Sequence, residues 1–175
     1  LDEVSLDIHA GEILVIAGVQ GNGQTELTEA ILGTQSKTSG SIVLAGTEIS
    51  GKSVKQRLDA GLGFVPEDRT EDGLVADFTI AENLMLNRSD REPFAKRGVL
   101  QLGFLKDFAL QKVKEFDVRA QGIESTAGQL SGGNQQKVVL AKWLTRQPKV
   151  LILNEPTRGM DVGAKDEVMS VVLGL

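Results

Sequence analysis

The stretch "ILVIAGVQGNGQTELTEAIL", residues 13–32, constrains the chain more than any other. Ile13 to Ala17 is a continuous apolar run, which predicts a strand buried on both faces. A glycine loop follows directly. Thr25 to Leu32 then reads as a helix, with Leu27, Ile31 and Leu32 on one face and Gly33 as its C-terminal stop. Strand, glycine loop, helix is the context that separates a phosphate-binding loop from a chance glycine cluster. The usual pattern is G-x-x-x-x-G-K-[ST]. Gly18 and Gly23 stand at the required spacing and Thr25 is in place, but Gln24 stands where the lysine is expected.

Before the loop, Val4, Leu6 and Ile8 alternate with polar residues and predict a half-buried strand, closed by a turn at His9-Ala10-Gly11. After it, the pattern predicts a short strand over 41–44, a short helix over 54–60 and a strand over 62–65 ended by Pro66. From Gly73 to Arg146 it turns mostly helical, and "VLILNEP", residues 150–156, is a second apolar strand with an acidic end. The fold class expected is α/β, a sheet with a helical insertion. Residues 1–72 and 147–175 form the core in this reading, and 73–146 the helical subdomain.

Composition narrows the chemistry. A net charge of −5 gives no hint of nucleic-acid binding, and the absence of cysteine excludes disulfides and thiolate metal sites. The apolar runs fall far short of the ~20 residues that cross a bilayer. The opening residues are not expected to form a signal peptide. It starts inside a strand pattern and stops inside a helix-like run, so a fragment of a longer protein is expected.

Two more motifs carry chemistry. In "LSGGNQQKV", residues 130–138, Ser131 is placed to cap the helix that follows, and Gly132 and Gly133 allow close approach of backbone N–H groups to a ligand. Free N–H groups at a helix start attract phosphate. An ordinary capped helix is the competing reading. At the acidic strand end, Asn154 and Glu155 stand where Asp-Glu holds magnesium and a catalytic base in many phosphate-loop ATPases. The competing reading there is a polar strand end.

Taken in order, the glycine loop, Pro66-Glu67-Asp68-Arg69, LSGG and "NEPTRGMD" resemble the ATP-binding cassette of ABC transporters across nearly the whole chain. "FVPEDR", "GLVADFTIAENLML", "LSGGNQQKVVLAKWL" and "EPTRGMDVGAK" resemble more narrowly the cassettes of bacterial importers for simple sugars and nucleosides. In that family one polypeptide carries two cassettes, and the second often lacks the phosphate-loop lysine. Gln24 marks this chain as similar to a second, C-terminal cassette.

The resemblance implies a phosphate-loop NTPase core of ABC type with a helical signature subdomain, and ATP with Mg2+ as cofactors. Gly18, Gly21, Asn22, Gly23, Gln24, Thr25 and Glu26 would hold nucleotide. Ser131, Gly132, Gly133 and Gln135 would face the partner's nucleotide. Glu155 would be the catalytic base, and Thr25, Glu67 and Asn154 would hold Mg2+, partly through water. Glu67 stands where the family's coupling loop usually has glutamine. Residues 157–161 would touch the opposite cassette, with Asp161 as the contact. The strand with the adenine-stacking aromatic is expected before Leu1, and the switch histidine beyond Leu175. His9 is expected at the surface.

The implied partners are the first cassette of the same polypeptide in a head-to-tail sandwich, an integral membrane permease and, indirectly, a substrate-binding protein. The implied location is the cytoplasmic face of the inner membrane. Two alternatives stay open. One is a soluble cassette of DNA repair or translation, against which stand the compact interval between loop and LSGG and the missing lysine. The other is a nucleotide-binding module without turnover.

Overall fold

The computed structural model describes residues 3–19, 21–35 and 39–174. The chain divides into two compact units, Leu1–Leu62 and Gly63–Leu175.

In the first unit, helix α1 (Gln24–Leu32) follows the glycine loop and stops at Gly33, in left-handed backbone at φ 83°. Strands β1 (Val43–Leu44) and β2 (Thr47–Glu48) pair as an antiparallel hairpin. Helix α2 (Val54–Asp59) starts on a capping box, Ser53 accepting from the Gln56 N–H while the Gln56 side chain accepts from the Ser53 N–H. Leu32, Leu44 and Ile49 are buried here, and so is Arg57. Its guanidinium donates to the carbonyls of Ala30 at 2.8 Å, Ile31 at 2.7 Å, Ser50 at 2.6 Å and Lys52 at 2.9 Å. The last turn of α1 has no basic residue of its own, so α2 supplies the cation that its C-terminal carbonyls favour.

The strands expected over Val4–Ile8 and Ile13–Ala17 are not formed. Residues 3–19 carry no strand, and Ile13 and Val15 are 65% and 77% exposed. An apolar run specifies the capacity for burial, but a strand also needs a neighbouring backbone to complete its ladder. No described residue pairs with this one. The turn at His9–Gly11 is present, closed by Glu12 N–H to His9 O at 3.1 Å, and the His9 side chain is exposed as expected.

Strand β3 (Leu62–Val65), whose residues from Gly63 onward open the second unit, pairs with β6 (Val150–Leu153). A π-helical turn, Arg69–Gly73, leads towards α3 (Ile80–Met85). The Asp68 side chain heads that turn, accepting from the N–H groups of Thr70 and Glu71. The Thr70 hydroxyl, with those two N–H groups, holds the Asp68 carboxyl below the usual carboxylate range. A second capping box, Thr79 with Glu82, starts α3. Asn83 on α3 is fully buried and staples the preceding loop, accepting from Val75 N–H and donating to the carbonyls of Val75, Phe78 and Thr79.

A small hairpin that the sequence did not suggest, β4 (Ala95–Lys96) with β5 (Val99–Leu100), interrupts the helices before α4 (Leu102–Glu115). Phe94 meets Phe104 and Phe108 edge-on, and the Arg88 guanidinium lies 4.7 Å from the Phe94 ring centre. Helix α5 (Gly132–Leu144) runs through the centre of the unit, with every residue from Gln135 to Trp143 buried. Helix α6 (Val162–Leu173) packs beside it, capped by Asp161, which accepts from Ala164 N–H.

Burial of Lys142 on α5, where it donates to the Gly73 carbonyl, pulls its ammonium down from 10.5 to about 8. Between these two values the unfolded chain holds this proton and the folded chain does not, so stability rises with pH. The penalty present below pH 8 amounts to about 3 kcal/mol and is relieved towards pH 10.5. Denaturant titrations at pH 7.5 and 10 are expected to show this rise, and Lys142→Met is expected to flatten it. An equal pH response in both proteins would show that Lys142 is solvated.

Candidate functional site

The glycine loop presents the start of α1 without a side-chain cap. Gly21 and Gly23 both have left-handed φ, 88° and 101°, which a β-carbon would strain. Gly23 is the N-cap residue of α1 and offers no side chain, so the first N–H groups of the helix stay open to a ligand. Asn22, Thr25 and Glu26 are exposed there. Gln20 lies outside the described residues. The Gln24 side chain turns back over Gly18, into the space that a β-carbon at Gly18 would need. Val4, Leu6, Leu14, Ile16 and Leu27 line an open cavity of about 470 Å³ beside the loop.

The second unit assembles the other motifs around α5. Ser131 occupies the N-cap position, but its hydroxyl does not cap the helix as the sequence led one to expect. It accepts instead from the Asn134 side-chain amide at 2.9 Å. Asn134 is itself fixed, because its carbonyl oxygen accepts from Arg119 N–H at 2.8 Å. The Ser131 hydroxyl hydrogen and the N–H groups that head α5 are thereby left for a ligand. Asn134 was missed in the sequence, where no spacing signal marks it.

Gly132 and Gly133 serve close approach, but within the chain. A β-carbon at Gly132 would stand 2.7 Å from Arg69 Nη2, and one at Gly133 would stand 3.0 Å from the Ala164 β-carbon. Gln135 is buried, with its amide donating to Ala127 O at 3.1 Å and its oxygen accepting from Arg69 Nε at 3.3 Å. Its side chain therefore braces the helix start from inside.

At the acidic strand end, Asn154 N–H donates to Val65 O, continuing the pairing of β6 with β3. Glu155 follows in left-handed backbone at φ 43° and is exposed. The Arg158 side chain pairs with Glu67 and reaches Glu155 at 3.9 Å, while its carbonyl accepts from Arg69 Nη1 at 2.9 Å. Glu67, Glu155 and Arg158 thus form one charged cluster. Asp161, expected to face an opposite cassette, caps α6.

These features fit a nucleotide. The head of α1, with its left-handed glycines and no capping side chain, suits phosphate oxygens. Among the described residues no group of three or more His, Cys, Asp and Glu side chains comes together. Magnesium needs none, since it takes one or two protein oxygens, substrate phosphates and water. The exposed Thr25 hydroxyl is of that kind.

An α/β fold with an open glycine loop at one helix start and an S-G-G turn at another defines a phosphate-binding cassette. Residues 1–158 match the ABC transporter family, and the chain belongs to it. It is 45% identical over 161 residues to the nucleoside import ATP-binding protein NupA of Lactococcus lactis, covering 92% of this chain and 32% of that protein. Against the ribose import ATP-binding protein RbsA of Oceanobacillus iheyensis it is 41% identical over 171 residues, 98% of this chain and 34% of the relative. The chain therefore spans about a third of the length of these curated relatives. A solved dimeric ATP-binding cassette in a post-hydrolysis state, bound to ADP and Pi, shares the fold at a TM-score of 0.76, with 24% identity over 95% of this chain and 70% of that one. Among the described residues no helix is long and apolar enough to cross a membrane.

Proposed function

We propose that this chain is the second cassette of a tandem importer ATPase for simple sugars or nucleosides, acting at the cytoplasmic face of the membrane with a permease and a substrate-binding protein. The names of the curated relatives support the substrate class, and their greater length leaves room for a first cassette. The core would comprise residues 1–72 and 147–175, and the signature subdomain 73–146.

The observation that carries the reading is the start of α5, where the Ser131 hydroxyl accepts from the Asn134 side chain and leaves the backbone N–H groups of the first turn uncapped. In a head-to-tail sandwich Ser131, Gly132 and Gly133 would contact the γ-phosphate held by the partner cassette, with Gln135 bracing them. The chain's own loop, Gly18, Gly21, Asn22, Gly23, Gln24, Thr25 and Glu26, would bind ATP more weakly. Thr25, Glu67 and Asn154 are the proposed oxygens for Mg2+, and Glu155 the base for the attacking water. Bound there, Mg2+ would neutralise charge on the phosphates.

Gln24 replaces a unit charge. Such a pair at about 4 Å is worth about 4 kcal/mol gross at an effective dielectric near 20, and less after desolvation. Gln24→Lys is therefore expected to tighten ATP binding at this loop by about tenfold. A titration giving equal affinities would show that the loop does not cradle phosphates. The importer reading itself is tested by reconstituting the polypeptide with its permease and measuring ATP-driven uptake of ribose and guanosine. Uptake of neither would sink it.

A further inference from the structure

We infer that Arg69 is a positioning residue that ties the signature turn to the loop carrying Glu155, so that the two parts move together. Its guanidinium is shared by three structures within one unit. Nε donates to Gln135 Oε1 at 3.3 Å on the first turn of α5, and Nη1 donates to Arg158 O at 2.9 Å in the loop after β6. Nη2 fills the space that a β-carbon at Gly132 would take.

Beyond each contact the chain of bonds continues. Gln135 passes on to Ala127 O, and the Arg158 side chain passes on to Glu67 and Glu155. A planar fork with donors in fixed directions makes both bonds at once, which a lysine ammonium cannot do. Arg69 also begins the π-helical turn headed by Asp68, so its own backbone is held in place.

The consequence rests on the head-to-tail reading proposed above. In that arrangement Ser131 to Gly133 serve the partner's nucleotide and Glu155 serves the chain's own. Arg69 then joins parts of two different sites through one side chain.

The test uses the full polypeptide with Arg69→Lys and Arg69→Gln. Hydrogen exchange without nucleotide is expected to quicken by about tenfold or more at the bonded amides of both segments, Gln135 in 131–135 and Arg158 and Met160 in 155–160, while 136–144 stays protected. Turnover in membranes is expected to fall with the KM for ATP little changed, and Lys is expected not to rescue. Gln135→Leu combined with Arg69→Gln is expected to add nothing further to exchange at 155–160, because Gln135 reaches that loop only through Arg69. Exchange that changes in only one segment, or in neither, overturns the inference, as does full turnover in Arg69→Lys. Gly132→Asp is run alongside. If it leaves turnover intact, the head-to-tail reading fails whatever the exchange shows. If it abolishes turnover while Arg69→Gln leaves both segments protected, only the role of Arg69 fails.

Discussion

Gly132→Asp in the polypeptide that carries this cassette is expected to lower ATP turnover about 10²–10³-fold, the loss typical of removing one aimed donor from a charge-stabilising site. Two physical effects act together. The new β-carbon stands 2.7 Å from Arg69 Nη2, so the guanidinium must give way and its bonds to Gln135 and Arg158 are disturbed. The new carboxylate then sits at the head of α5, where the helix dipole and the free N–H groups already favour an anion. It fills the place proposed for the γ-phosphate and repels it. Gln24→Ala removes only a neutral amide from the other loop and is expected to be much milder. Phosphate release and transport, measured in membranes with the permease present, compare the two. Equal damage from both would mean that the two sites are equally needed.

Arg57→Ala is expected to cost about 3–5 kcal/mol, because a buried charged donor leaves several carbonyls without partners. The carbonyls are those of Ala30, Ile31, Ser50 and Lys52, and two of them close α1. A loss of that size is a large share of the 5–15 kcal/mol by which domains are typically stable. The helix that follows the glycine loop would lose its C-terminal anchor, so weaker binding at the nucleotide site proposed for that loop should accompany the lower denaturation midpoint. Arg57→Lys is expected to recover only part, since one ammonium cannot reach all four oxygens. An unchanged midpoint in Arg57→Ala would show that water satisfies the carbonyls.

Much of the fold was legible because its signals are local. Helix α1 and its stop at Gly33, strand β3 before Pro66, the start of α5 at Ser131 and strand β6 all fall within a residue or two of where periodicity and caps place them. The strand expected over Ile13–Ala17 failed because apolar character does not specify a ladder partner. The sequence assigns no role to Arg57, and Arg69 enters there only as the last residue of Pro66-Glu67-Asp68-Arg69. Their importance comes from carbonyls and amides brought to them by chain far away, Arg158 being 89 positions from Arg69. The same holds for Asn134, whose hold on Ser131 depends on the backbone of Arg119. Motif spacing located the candidate site. The side chains that brace it belong to tertiary structure.

Glu155 has a backbone that its own side chain makes costly. A non-glycine residue at φ 43° is held at an expense of about 1–3 kcal/mol. Glycine would relieve that strain, and asparagine would reduce it. In laboratory evolution, a library randomised at this position and selected only for survival of heat should drift away from the carboxylate. With Glu155 as the base proposed above, one selected for growth on the proposed importer's substrate should keep it. Durability and work would pull one codon in opposite directions.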